Sequence, residues 1–237
     1  MRKVACVLLV LVMLLGVLAF AACNEASNTN SPEPTPVDYF TFEPNSDRTG
    51  YVLTGTQKIL PADVVIPAEY EGLPVTMIGS SAFEGCTEIG SIVILDNITY
   101  IGDGAFKQCT TLTSVALPNT ITTINENTFL SCTSLENINL PEGLEYIRMG
   151  AFENCSSLTT LKFPRTLKLI YSTNVFNAGS TSIAENIDDM LSSSNSYVSI
   201  ITGCDSLQNI ELCASTKVGK GAFSGASLTT DNILILD

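Results

Sequence analysis

The sequence predicts a solenoid of mostly parallel β-strands with short turns and little helix, wound as a right-handed superhelix behind an N-terminal β-hairpin cap. The stretch LTSVALPNTITTINENTFLSCTS from Leu112 recurs beside itself as IGSIVILDNITYIGDGAFKQCTT from Ile89 and LENINLPEGLEYIRMGAFENCSS from Leu135, each 23 residues long. Phe83, Phe106, Phe129 and Phe152 step by the same 23, as do Cys86, Cys109, Cys132 and Cys155. A unit this short cannot bury its own apolar face, so it must stack on the next; such periods mark solenoids.

Residues 1–22 have a basic start at Arg2 and Lys3, an apolar run from Val4 to Phe20 and small residues at Ala21 and Ala22, the pattern of a secretory signal. The competing reading is a membrane anchor, because the run approaches the roughly 20 residues that span a bilayer. Phe20-Ala-Ala-Cys23 resembles the lipobox of bacterial lipoproteins, with Phe20 where Leu is usual. That resemblance implies lipidation of Cys23, which becomes the new first residue. Residues 23–37 are rich in Ser, Thr, Asn and Pro and read as an extended linker from the lipid.

Residues 38–65 form the expected cap: Tyr39, Phe40 and Phe42 alternate with polar residues, a turn follows near Pro44 to Gly50, and Tyr51 to Leu53 run back. A first solenoid turn without such a cap would expose its core and an unpaired strand edge. Residues 66–237 are the repeat domain. Its first unit carries extra length at Glu69 to Leu73, and the units from Ile89, Leu112 and Leu135 are regular.

The unit from Leu158 puts Val175 and Phe176 near the Phe position and loses its Cys, and an insertion at about 177–203 precedes Cys204, Leu207, Ile210 and Leu212. Within it, Ser182 and Glu185 fit a capping box and Ile183, Ile187, Met190 and Leu191 share a helical face; Tyr197 to Ile201 suit an extra strand. The insertion interrupts the solenoid at no evident structural gain. In the last unit Ala222 and Phe223 arrive one residue early, and residues 232–237 supply a closing strand.

Within a unit, Leu112, Val115 and Leu117 have the spacing L-x-x-V-x-L, in which the last two alternate inward along a strand, Pro118 ends it at a corner, and Ile121 and Ile124 form a second inward pair. Phe129 then fills the space between the two runs, with Cys132 at the closing turn. This L-x-x-V-x-L-P-x-x-I-x-x-I pattern, followed by Thr128-Phe129 or Ala-Phe and then Cys, resembles the BspA-like class of bacterial leucine-rich repeats over about residues 59–236. The resemblance implies a curved, parallel-stranded leucine-rich repeat solenoid on the bacterial cell surface, adhesion to host proteins or other cells, and no catalytic residues.

The residues themselves restrict the chemistry. The chain has no histidine, which removes Ser-His and Cys-His nucleophile pairs and the commonest metal ligand. Acids such as Glu126, Glu136, Glu142 and Glu145 occupy polar slots of the repeat. No enzymatic activity, cofactor or metal is expected. The 24 acidic residues against 11 basic ones repel phosphate backbones, so nucleic acid is not an expected partner. The ladder thiols, with Cys204 and Cys213, read as small buried hydrophobes rather than disulfides, because every rung would otherwise compete for the same partner.

Three surfaces are candidates for binding. On the first strand the outward positions are small and polar, and Asn137, Asn139 and Lys162 stand out. On the second run, the position before the last Ile holds Met77, Tyr100, Thr123, Tyr146 and Leu169, an apolar and aromatic stripe. The insertion, with Tyr197, is the third. The expected function is a monomeric, secreted protein, lipid-anchored at the bacterial cell surface, that binds a protein ligand on host or bacterial surfaces. A carbohydrate-binding accessory protein and a structural envelope component are the alternatives.

Overall fold

The computed structural model describes residues 32–171, 187–192 and 199–237. Two strand runs and a turn ladder stack along the solenoid. The cap is an antiparallel pair, β1 (Phe40–Pro44) and β2 (Tyr51–Thr56), closed where Asn45 Oδ1 accepts from the Thr49 and Gly50 amides. The first-run strands are β3 (Asp63–Val65), β6 (Ser91–Val93), β8 (Ser114–Ala116), β11 (Thr160–Lys162), β13 (Asn209–Cys213) and β15 (Ile233–Leu236). They pair in parallel as two sheets, β3-β6-β8 and β11-β13-β15. The extra length of the first repeat is β4 (Glu69–Tyr70), which turns at Glu71 and Gly72 into β5 (Leu73–Ile78).

The second run continues from β5 through β7 (Tyr100–Ile101), β9 (Thr123–Ile124), β10 (Tyr146–Ile147), β12 (Leu169–Ile170) and β14 (Lys217–Val218). Its parallel pairing links β2 to β5 and β7, and β9 to β10, β12 and β14. At the junction between those two groups the buried Asn125 side chain donates to Ile101 O, where other units use a backbone amide.

The phenylalanines stack as a column between the runs. Adjacent rings from Phe83 to Phe152 lie 5.2, 5.5 and 5.7 Å apart and within 10° of parallel, and all four are fully buried. Phe40 of the cap closes the column edge-on against Phe83 at 6.2 Å. Each Cys Sγ–H then donates to the Phe carbonyl of the preceding unit: Cys109 to Phe83, Cys132 to Phe106, Cys155 to Phe129. The thiol thus gives a second hydrogen bond to a carbonyl that already accepts the amide three residues on, as well as filling space, which a methyl group could not do.

The structure departs from expectation at three places. Where composition predicts an extended linker to Val37, Thr35 is buried: its amide donates to Val65 O, and its hydroxyl accepts the Val65 amide. That contact covers the free edge of β3, so the folded part begins before residue 38. Val175 and Phe176 lie outside the described residues, but the column continues through Ile200 and Ile201. Phe152 N donates to Ile200 O as Phe129 N does to Ala151 O, and Cys204 donates to Phe152 O at 3.0 Å. The ladder therefore keeps its Cys, with Ile201 as the buried apolar residue three places before it, and resumes within the 177–203 span.

The third departure concerns the insertion. Helix α1 (Ile187–Leu191) covers the last rung: Gly221 N donates to Asp189 O at 2.8 Å and Phe223 N to Met190 O at 3.0 Å. In the four units from Ser81 to Phe152 these two amides bond to the next repeat, as Gly104 does to Glu126 O and Phe106 to Thr128 O. Met190 is buried there. The insertion thus supplies the acceptors that a further repeat would have supplied, a structural gain the sequence does not reveal. The proposed capping box at Ser182 and Glu185, together with Ile183, lies outside the described residues.

Candidate functional site

The second run carries the most continuous outward surface. Strand register sets Met77 beside Tyr100, and Tyr146 between Thr123 and Leu169, with Lys217 next to Leu169. Val52 of the cap precedes Met77 in the same row. The adjoining Ile78, Ile101, Ile124, Ile147 and Ile170 point inward and are buried, which forces their neighbours outward by the two-residue strand period. Tyr100 is 41% exposed, and Met77, Thr123, Tyr146 and Leu169 are half-buried. At the far end Arg148 lies over the Tyr171 ring, 5.6 Å from its centroid, and that ring is 6.2 Å from Tyr146.

The first-run face is polar and has a gap. Residues 137–139 lie in the outward register of their neighbours but in no strand, between β8 and β11, and Asn at both outward positions suits turn geometry better than a ladder. A cleft of about 500 Å³ opens there, lined by Asn137, Asn139, Glu142, Thr160 and Lys162 over Leu140 and Phe163. Asn137, Asn139 and Lys162, singled out from sequence, therefore come together. Asn137 accepts from the Thr159 hydroxyl, and Lys162 pairs with Glu211 at 2.9 Å. Tyr197 lies outside the described residues.

The stacked column, the thiol ladder and the two parallel runs follow the repeat pattern through the regular units, and residues 71–183 match the family described as BspA type leucine rich repeat region, in six copies. These are BspA-type leucine-rich repeats. Solved relatives agree on the fold. The Leucine Rich Repeat protein of T. pallidum superposes with TM-score 0.63 at 24% identity, over 86% of this chain and 81% of that one. A leucine-rich repeat protein of Bacteroides ovatus gives 0.59 at 23%, over 83% of this chain and 58% of that one. A leucine rich cell surface protein of Faecalibacterium prausnitzii gives 0.53 at 22%, over 81% and 38%. Curated protein sequences give no match.

All six described cysteines are free, and among the described residues no group of His, Cys, Asp and Glu is arranged to hold a metal. Burial pushes the Cys132 and Cys204 thiols up to about 12 and raises those of Cys109 and Cys155. Cys213 lies off the ladder and is half-exposed; its thiol is lowered, first by its hydrogen bond with Ser215 and further by the Arg165 charge.

One group of surface residues escaped the sequence reading. Arg165, Lys168 and Lys217 line a groove of about 580 Å³ on the second-run side, whose walls include Tyr146 and Leu169 of the stripe. They belong to two units separated by the insertion, which keeps them far apart in the sequence. A signal was available all the same: six of the nine basic residues after Lys3 fall between Arg148 and Lys220.

Proposed function

We propose that this is a secreted, lipid-anchored protein of the bacterial cell surface whose leucine-rich repeats hold a protein partner in adhesion. The observation that carries the reading is the row Met77, Tyr100, Thr123, Tyr146 and Leu169, which runs unbroken by carboxylates along the outward side of the second run. Aromatic and apolar side chains on a rigid sheet lose little entropy on binding, and such residues anchor protein interfaces. The signal-like N-terminus with Cys23 supports the location, as does the description of the F. prausnitzii relative as a cell surface protein.

The mature chain, applied to parallel arrays of host matrix and bacterial surface proteins and of glycans, is expected to be retained on at least one protein and on no glycan. Retention on glycans alone contradicts this reading in favour of a carbohydrate-binding accessory role. Retention on neither array favours an envelope component without a soluble ligand.

A further inference from the structure

We propose that the groove beside Tyr146 and Leu169 binds a short acidic peptide segment carrying an apolar side chain. This rests on the reading of the second run as a protein-binding surface and adds the chemistry of what is held there. The groove is lined by Arg165, Lys168 and Lys217 together with Tyr146, Leu167 and Leu169, and among the described residues no carboxylate lines it. In a chain of net charge −13, a concave surface with three cations, of which Lys168 alone is paired with a carboxylate, is set apart.

The cations differ in what they offer. Lys168 is held by Glu145 at 2.6 Å, and that hydrogen bond raises its pKa, so it stays charged and fixed in position. Arg165 and Lys217 are exposed, and among the described residues neither takes part in an ion pair. Such a guanidinium presents a planar fork of donors that matches a carboxylate. Leu167 is buried beneath, and half-buried Tyr146 and Leu169 complete an apolar floor for one side chain between the charges.

The span of positive charge selects among anions. A long polyanion, nucleic acid or sulfated polysaccharide, would extend past three cations along a chain that carries 24 acidic residues to 11 basic ones, where repulsion offsets the attraction. A segment of a few acidic residues stays within the groove. Electrostatic attraction of this kind also speeds encounter and weakens as ionic strength rises.

The test is fluorescence anisotropy on the mature chain with a labelled decapeptide of alternating Glu and Leu, its Gln–Leu counterpart, and a sulfated oligosaccharide. The acidic peptide is expected to bind at least about tenfold tighter than the Gln–Leu peptide. It should lose about tenfold or more with Arg165→Ala and Lys217→Ala combined, the scale of charge-assisted hydrogen bonds. Lys107→Ala, remote and paired with Glu84, should leave binding unchanged. Equal binding of the two peptides, indifference to the double substitution, or tighter binding of the oligosaccharide overturns the proposal. Failure of the stripe reading is seen separately, as unchanged retention of a protein partner by Tyr100→Ser on the protein array.

Discussion

Met190→Asp is expected to destabilise the protein by about 3 kcal/mol, because it exchanges a buried apolar side chain for a carboxylate. Met190 is 8% exposed, and its carbonyl accepts the amide of Phe223. In a stack where each turn contacts only its neighbours, the damage should stay local. Hydrogen exchange should therefore speed up at the Gly221 and Phe223 amides while Phe106 and Phe129 keep their protection. Uniform loss across the ladder, or none, would mean that α1 does not close the column. The same geometry bears on any deletion of the insertion: removing residues 181–199 also removes the acceptors of the last rung and Ser199, whose hydroxyl bonds to Ala222 O. A partner lost with that deletion would not locate the binding site.

Alkaline pH should destabilise the protein progressively from about pH 8.5 upward. The thiols of Cys109, Cys132, Cys155 and Cys204 are raised in the folded state, by burial first in each case. An unfolded thiol ionises near about 8.5. Below that pH both states hold the proton and stability is unaffected. Above it the unfolded chain releases protons that the folded chain keeps, so stability falls as pH rises toward the folded values near 12. The loss at pH 10 is roughly one to two kcal/mol per thiol, on the order of 5 kcal/mol for the four. Denaturant midpoints measured from pH 7 to pH 10 should be flat at first and then drop steeply. A midpoint insensitive to pH up to 10 contradicts the buried-thiol account, as would fewer than six free thiols per mature chain in denaturant without reductant. In the native protein Cys213 should be alkylated first.

The parts of this fold that were legible in the sequence are those repeated in identical chemistry. Four Phe and four Cys at one spacing predicted the column, and Leu112, Val115, Ile121 and Ile124 predicted the two inward faces. Less was legible where one chemistry replaces another. Ile201 takes the place of Phe three residues before Cys204, which no aromatic marks, and Thr35 covers β3 from within a stretch whose composition reads as solvated linker.

Backbone demands were hidden in the same way. Asn127 and Gly150 hold equivalent left-handed positions in successive units, at φ 55° and 64°. A Cβ at Gly150 would meet Asn127 Oδ1 at 2.1 Å, so the glycine meets a steric need created one turn earlier as well as its own φ. At the surfaces, the two-residue strand period identified the outward residues correctly. It could not anticipate that Asn137 and Asn139 would leave the ladder, or that Arg165 and Lys217 would flank one groove.

Scaffold and surface are separated most directly by comparing the mature chain with a Tyr100→Ser, Tyr146→Ser variant for both thermal stability and retention on immobilised surface proteins. Tyr100 is exposed and Tyr146 half-buried, while the isoleucines beside them carry the burial. The variant is expected to melt close to the parent and to bind its partner at least about tenfold more weakly, the scale of losing an aromatic anchor. Undiminished binding by a folded variant would contradict the assignment of function to the stripe.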